Sequence, residues 1–171
     1  MPDKYYYLIA SLPYLNFNDK MPITEEEFLS ECEKWLSEED FMTIKRVSIS
    51  DFKINTKDSP VLKKWKEFDF DLRERAAQAR KMFLAEAHEK LPPRVKEIFR
   101  EKNPLEIEKL YELRRWDFIE EAEFGHYFDI GILILYYLKL QILGRLETFD
   151  KEKGKVVFEK LCEADTDLRG L

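Results

Sequence analysis

An all-α fold of six or seven helices is predicted by three features of the sequence. Glycine is scarce, with five in 171 residues and the first at Gly125, so long stretches run without a helix breaker. Helix-start signatures stand at Thr24, Ser59-Pro60 and Asn103-Pro104. Apolar residues between these signatures fall three and four apart, and no clear pair of alternating segments offers a sheet. The length suits a single domain, 1–171, with a core of its own and no linker long enough to divide it.

Residues 5–12, Tyr-Tyr-Tyr-Leu-Ile-Ala-Ser-Leu, are apolar and end at Pro13. Periodicity does not separate a short buried helix from a strand here, and the lack of a partner strand favours the helix. Residues 13–23, with two prolines and two asparagines, read as a loop. Thr24 with Glu27 forms a capping box, and Phe28, Cys32, Trp35 and Leu36 follow at helical spacing. Ser37 with Asp40 opens a short second helix whose face continues through Phe41, Ile44 and Val47. Residues 48–58 read as irregular, although the alternation of Val47, Ile49 and Phe52 allows a short strand over 47–54.

From Ser59-Pro60 to Leu91 no glycine or proline interrupts. This reads as one helix, or as two broken near Asp69-Phe70-Asp71, with Phe68, Leu72, Arg75 or Ala76, Ala79, Met82 and Phe83 on one face. Pro92-Pro93 ends it, and a short helix over 94–101 follows. Asn103-Pro104 starts the next helix, which runs to Phe124 with Leu110, Leu113 or Arg114, Ile119 and Ala122 facing inward; Gly125 stops it.

The stretch from Tyr127 to Gly144 is the most apolar of the chain. Asp129 and Lys139 would each cost about 2.5–3.5 kcal/mol near a bilayer centre, so a central buried helix over about 127–148 explains it better than a membrane span. Asp150 caps a last helix over 151–164, and the tail 165–171 frays.

The chemistry-bearing residues are few. No glycine-rich phosphate loop or nucleophile motif is present, and two histidines and two cysteines, all far apart, exclude a conventional zinc site. No catalytic residue, metal ligand or cofactor is assigned, and the chain is expected not to be an enzyme. Glu123 and His126 have the spacing by which di-iron or di-manganese bundles present a carboxylate and an imidazole. A second such pair is missing, since Ala85 precedes His88 by three, and Gly125 interrupts the helix between Glu123 and His126. Arg73, Arg75, Arg80, Arg114 and Arg115 would serve a helical nucleic-acid-binding module, but the net charge of −6 and the interleaved acids favour intrahelical pairs. Among them Arg80 stands out, because Ala76, Ala77 and Ala79 let another helix come close. Tyr5–Tyr7 and Tyr136-Tyr137 could face a partner, since tyrosine is enriched at interfaces, but their leucine and isoleucine neighbours favour the core. Isolated cysteines and a polar opening, Met-Pro-Asp-Lys, indicate a reducing, cytoplasmic compartment.

The opening Tyr5-Tyr6-Tyr7-Leu8-Ile9-Ala10-Ser11-Leu12-Pro13-Tyr14-Leu15, then Pro22-Ile23 and Glu26-Glu27-Phe28-Leu29, resembles an uncharacterised bacterial family encoded within V-type (A/V-type) ATPase operons. Tyr136-Tyr137-Leu138-Lys139-Leu140-Gln141-Ile142 with Arg145 is similar to the same family. More loosely, it is similar to the last repeat of the central-stalk C (d) subunit. The resemblance implies a non-catalytic subunit or accessory factor, in effect a shortened stalk adaptor between rotor shaft and membrane ring. Its partners would be V-type ATPase subunits, not nucleic acid, and it would sit peripherally on the cytoplasmic membrane face. Tyr14 and Phe17, large apolar residues in the proline-bounded loop, are the candidate docking residues, with Arg80 as a third.

Overall fold

The computed structural model describes residues 5–84 and 103–149. Six helices and no strand lie among the described residues: α1 Tyr6–Ser11, α2 Glu25–Trp35, α3 Glu38–Lys45, α4 Pro60–Leu84, α5 Pro104–Glu123 and α6 Ile130–Thr148. The all-α expectation holds. The expected end of the long helix over 85–91, the stop at Pro92-Pro93, the helix over 94–101, His88, the Asp150-capped helix and the tail lie outside the described residues.

The starts follow from local chemistry. The first N–H groups of a helix have no partner inside it, and a side-chain oxygen at the cap supplies one. Thr24 Oγ1 accepts from the Glu27 N–H at 3.1 Å, while the Glu27 carboxylate accepts from the Thr24 N–H at 2.8 Å. Ser37, Ser59 and Asn103 accept from the N–H groups of Asp40, Leu62 and Glu106. Asp129 does the same for Ile132 at 3.0 Å, so the central helix begins at Ile130 and not at 127. Gly125, at φ 91°, takes the left-handed conformation that turns the chain between α5 and α6.

Helix α6 is buried on every side, with Leu133, Ile134, Leu135, Leu138, Leu140 and Ile142 fully enclosed. Only complete enclosure suits a helix without a polar face. Helix α5 packs along it most extensively, as a short connection dictates, and α2, α3 and α4 complete the enclosure. Phe28 of α2 stacks on both Tyr136 and Tyr137, with centroids 5.4 and 5.3 Å away. Phe68 of α4 stacks on Phe118 of α5 at 4.1 Å.

Two open readings are settled and one expectation is corrected. Helix α4 is unbroken at Asp69-Phe70-Asp71, because Asp69 is buried and bonded to Arg73 and Arg115. Residues 47–54 form no strand, because the backbone of Val47 and Ile49 bonds instead to the side chain of Gln141. The inward face of α5 is Glu112, Arg115, Trp116 and Ile119, while Leu113 is exposed. Two of those four are charged, and an apolar pattern cannot register them. On α4 the alternative Arg75 or Ala76 resolves to Ala76, which is buried.

Candidate functional site

The face most suited to a partner lies where α1, the end of α2 and the 124–128 turn come together. Tyr5 and Leu8 are buried, so α1 seats that stripe on the body and turns Tyr6 and Tyr7 outward. The phenol of Tyr5 is hydrogen-bonded to Asp40 of α3. The backbone N–H of Tyr5 donates to the Phe128 carbonyl at 3.4 Å, which ties the start of α1 to the turn. Tyr7, 74% exposed, stacks on Trp35 at 6.4 Å, and Tyr6 lies 4.7 Å from the Phe128 ring. Phe124, 89% exposed, and Tyr127 extend the same turn into solvent. A row of large exposed rings of this kind is the usual mark of an interaction surface, and aromatic residues are enriched there.

Beside this row is a cavity of about 230 Å³ lined by Ile9, Leu12, Tyr14, Glu123, Tyr136 and Lys139, among others. The Tyr136 hydroxyl donates to the Pro13 carbonyl at 2.9 Å, which fixes the loop at the cavity rim. Burial pushes the Tyr136 phenol upward, so it stays protonated. At the floor, the Lys139 ammonium lies 2.8 Å from Glu123 and 5.0 Å above the Trp116 ring. The carboxylate and the ring face both offset the cost of burying the ammonium.

The three residues expected at an interface part company. Tyr14 is 84% exposed, as a docking residue would be. Phe17 folds back: it is half-buried against the core, with its ring edge-on to Trp116 at 5.6 Å. Arg80 is elsewhere, between α4 and α5, with its guanidinium 2.7 Å from Glu108 and over the Tyr111 ring at 5.7 Å. Glu123 and His126 are not brought to a common point. Glu123 binds Lys139, and His126 Nδ1 lies 2.6 Å from Asp129. A Cβ at position 131 would fall 2.5 Å from that His126 nitrogen, so Gly131 is what admits the imidazole to the start of α6. Among the described residues no group of three or more His, Cys, Asp and Glu could hold a metal ion. Arg75 and Arg114 form the expected intrahelical pairs, with Asp71 and Asp117, and Arg115 is buried. Burial raises the Cys32 thiol to about 12, which leaves it an inert core residue.

Sequence reasoning placed Tyr6 and Tyr7 in the core with Tyr5. The signal that separates them is the i, i+3 spacing of Tyr5 and Leu8, which leaves the two intervening tyrosines on the other side of α1. Trp35 carries no such signal: at i+7 it shares the stripe of Phe28 and Cys32, and it is exposed as the last residue of α2.

A family model described as a protein of unknown function (DUF2764) matches residues 53–165. The chain belongs to the DUF2764 family. No curated protein and no solved structure matches it. The DUF2764 match takes in α4, α5 and α6, hence the central helix and the cavity floor at Lys139. Helices α1–α3, with Tyr6, Tyr7 and Trp35, and the loop that carries Tyr14 precede the matched span. The exposed aromatic row is therefore built on both sides of that boundary. No helix among the described residues is long and apolar enough to cross a membrane.

Proposed function

We propose that this DUF2764 protein is a non-catalytic subunit or accessory factor of a bacterial V-type ATPase, working as a helical adaptor in or near the central stalk. The observation that carries the adaptor reading is the exposed aromatic row, Tyr6, Tyr7, Trp35, Phe124 and Tyr127, with Tyr14 at the adjoining cavity. A group of large rings left in solvent on a well-packed body is binding material, not packing. The ATPase as the partner comes from the sequence resemblance at Tyr5–Leu15 and Tyr136–Ile142. The two agree in place, because Tyr6, Tyr7 and Tyr14 belong to the opening motif that carries the resemblance. A helix buried on all sides suits an adaptor that transmits force, since close-packed interiors pass strain on without yielding. In this role the aromatic end seats a shaft or ring subunit, and the protein stays peripheral to the membrane.

The test is purification of the intact ATPase from the native host through an affinity tag on this chain, in mild detergent and low salt. Recovery of V-type ATPase subunits in fixed proportion is the expected result. Recovery of the chain without any of them overturns the proposal. Tyr7→Ser and Tyr14→Ser should then each reduce the yield of co-purified subunits.

A further inference from the structure

Seven charged side chains form one continuous alternating chain across three helices. Arg73 Nε lies 2.6 Å from Asp69, whose other oxygen lies 2.8 Å from Arg115 Nε. Arg115 is 2.7 Å from Glu112, which is 3.0 Å from Arg145. Arg145 reaches Glu108 at 3.5 Å, and Glu108 is 2.7 Å from Arg80. Each carboxylate is thus shared by two arginines, and the chain begins and ends on a guanidinium. Both terminal arginines, Arg73 and Arg80, stand on α4 two turns apart, so the chain bends back on itself. The space it encloses is a cavity of about 260 Å³, and all four arginines line it. Ala76, between the two on α4, keeps it open.

Among the described residues four guanidiniums face three carboxylates, so the ring carries an excess positive charge. That charge is concentrated on the exposed side. Asp69, Glu112 and Arg115 are buried, whereas Arg73, Arg80 and Arg145 are each partly open to solvent. Among the described residues Arg80 spends one of its five donors, on Glu108. The Tyr111 ring beneath it holds the guanidinium plane in position. The pairing is complete for the carboxylates and leaves one guanidinium in excess. Here an arginine excess is held around unfilled space by backbone from three helices.

We propose that this cavity binds an oxyanion of the phosphate class, with Arg80, Arg145 and Arg73 as donors. Three guanidiniums carried by α4 and α6 line one space, and the several oxygens of a tetrahedral oxyanion can accept from more than one of them at once. The volume lies below the range of about 300–1,000 Å³ typical of larger organic ligands, so the occupant is free phosphate or the phosphoryl group of a small monoester. This assignment is independent of the ATPase reading, and neither test bears on the other.

The experiment measures the thermal midpoint of the full chain, and the heat of binding, in inorganic phosphate against sodium chloride of equal ionic strength. Phosphate at about 10 mM should raise the midpoint beyond the chloride control, because a ligand of the native state stabilises it by mass action. Arg80→Gln should weaken phosphate at least about tenfold, the loss expected for a charge-assisted bond. Glu108→Gln should tighten it by removing the competing carboxylate. Arg75→Gln, whose guanidinium pairs with Asp71 on the exposed side of α4, should leave affinity unchanged. Glycerol phosphate is measured in parallel: tighter binding than inorganic phosphate assigns the site to a monoester, and equal or weaker binding assigns it to the free ion. A phosphate effect no larger than that of chloride overturns the proposal. So does a loss that is the same in Arg80→Gln and Arg75→Gln.

Discussion

The side-chain amide of Gln141, at the middle of the most apolar helix, replaces a β-ladder for Ile49. Its Oε1 accepts from the Ile49 N–H at 2.8 Å, and its Nε2 donates to the Val47 carbonyl at 3.0 Å. Val47 and Ile49 are buried, and buried backbone groups need partners. One amide satisfies two of them, and the segment after α3 is fixed against α6 without a second strand.

Gln141→Leu should therefore destabilise the protein by about 2–4 kcal/mol, since two buried backbone groups lose their partners at roughly 1–3 kcal/mol each. Urea denaturation measures it. A loss below about 0.5 kcal/mol, the level of a neutral surface change, would mean that water or another group satisfies Val47 and Ile49.

The enclosure of α6 makes a paired prediction. Leu135 is fully buried, and Leu135→Ala should cost about 2–5 kcal/mol. Leu113, one of two alternatives with Arg114 for the inner face of α5, is exposed, and Leu113→Ala should stay within about 0.5 kcal/mol. Equal losses at the two sites would contradict the orientation of α5.

Tyr14 and Phe17 should separate in the same way. Tyr14→Ser removes an exposed ring and should leave the thermal midpoint nearly unchanged. Phe17→Ser removes a half-buried ring from Trp116 and should cost on the order of 1 kcal/mol. Differential scanning calorimetry of the two variants distinguishes them. A lowered midpoint in Tyr14→Ser would show that the ring packs on the body.

The loop over 51–58 is held by one buried ammonium. Lys66 Nζ lies 2.9 Å from both Asp51 and Asp58 and donates to the Lys53 carbonyl at 2.7 Å. Burial alone would lower Lys66, but the bonds to Asp51 and Asp58 outweigh it and hold the amine above its ordinary 10.5. The bond from Lys66 holds Asp51 below its ordinary 3.8. The raised lysine gives stability that is complete below pH 10.5 and lost as pH rises through its higher folded value. The lowered aspartate gives stability that is complete above pH 3.8 and lost as pH falls through its lower folded value. Lys66→Met should cost roughly 3 kcal/mol near neutral pH, because it leaves carboxylates unpaired around a buried position. The gap to wild type should stay level between those limits and narrow below pH 3.8. A gap that widens on acidification would refute this account of the clamp.

What the sequence by itself determined is the helix starts and the helix at the centre. Caps at Thr24, Ser37, Ser59 and Asn103 act through the N–H groups three residues on, so the information and its effect share one turn of chain. The apolar run from Ile130 is equally local, because a helix with no polar side has to be enclosed. Tertiary structure alone decided which polar residues are inside. Glu112, Arg115, Asp69, Lys66 and Gln141 read as solvent-facing in any pattern of hydropathy. They are buried because each meets a counter-charge or a backbone group brought from another helix or from the 47–58 segment. The same holds for the arginine-lined cavity. Arg73, Arg80, Arg115 and Arg145 are spread over 73 residues of chain, and only the packing of α4, α5 and α6 gathers them around one space. Short-range rules fix where a helix begins; the free energy of burying a charge depends on groups that sequence proximity does not supply.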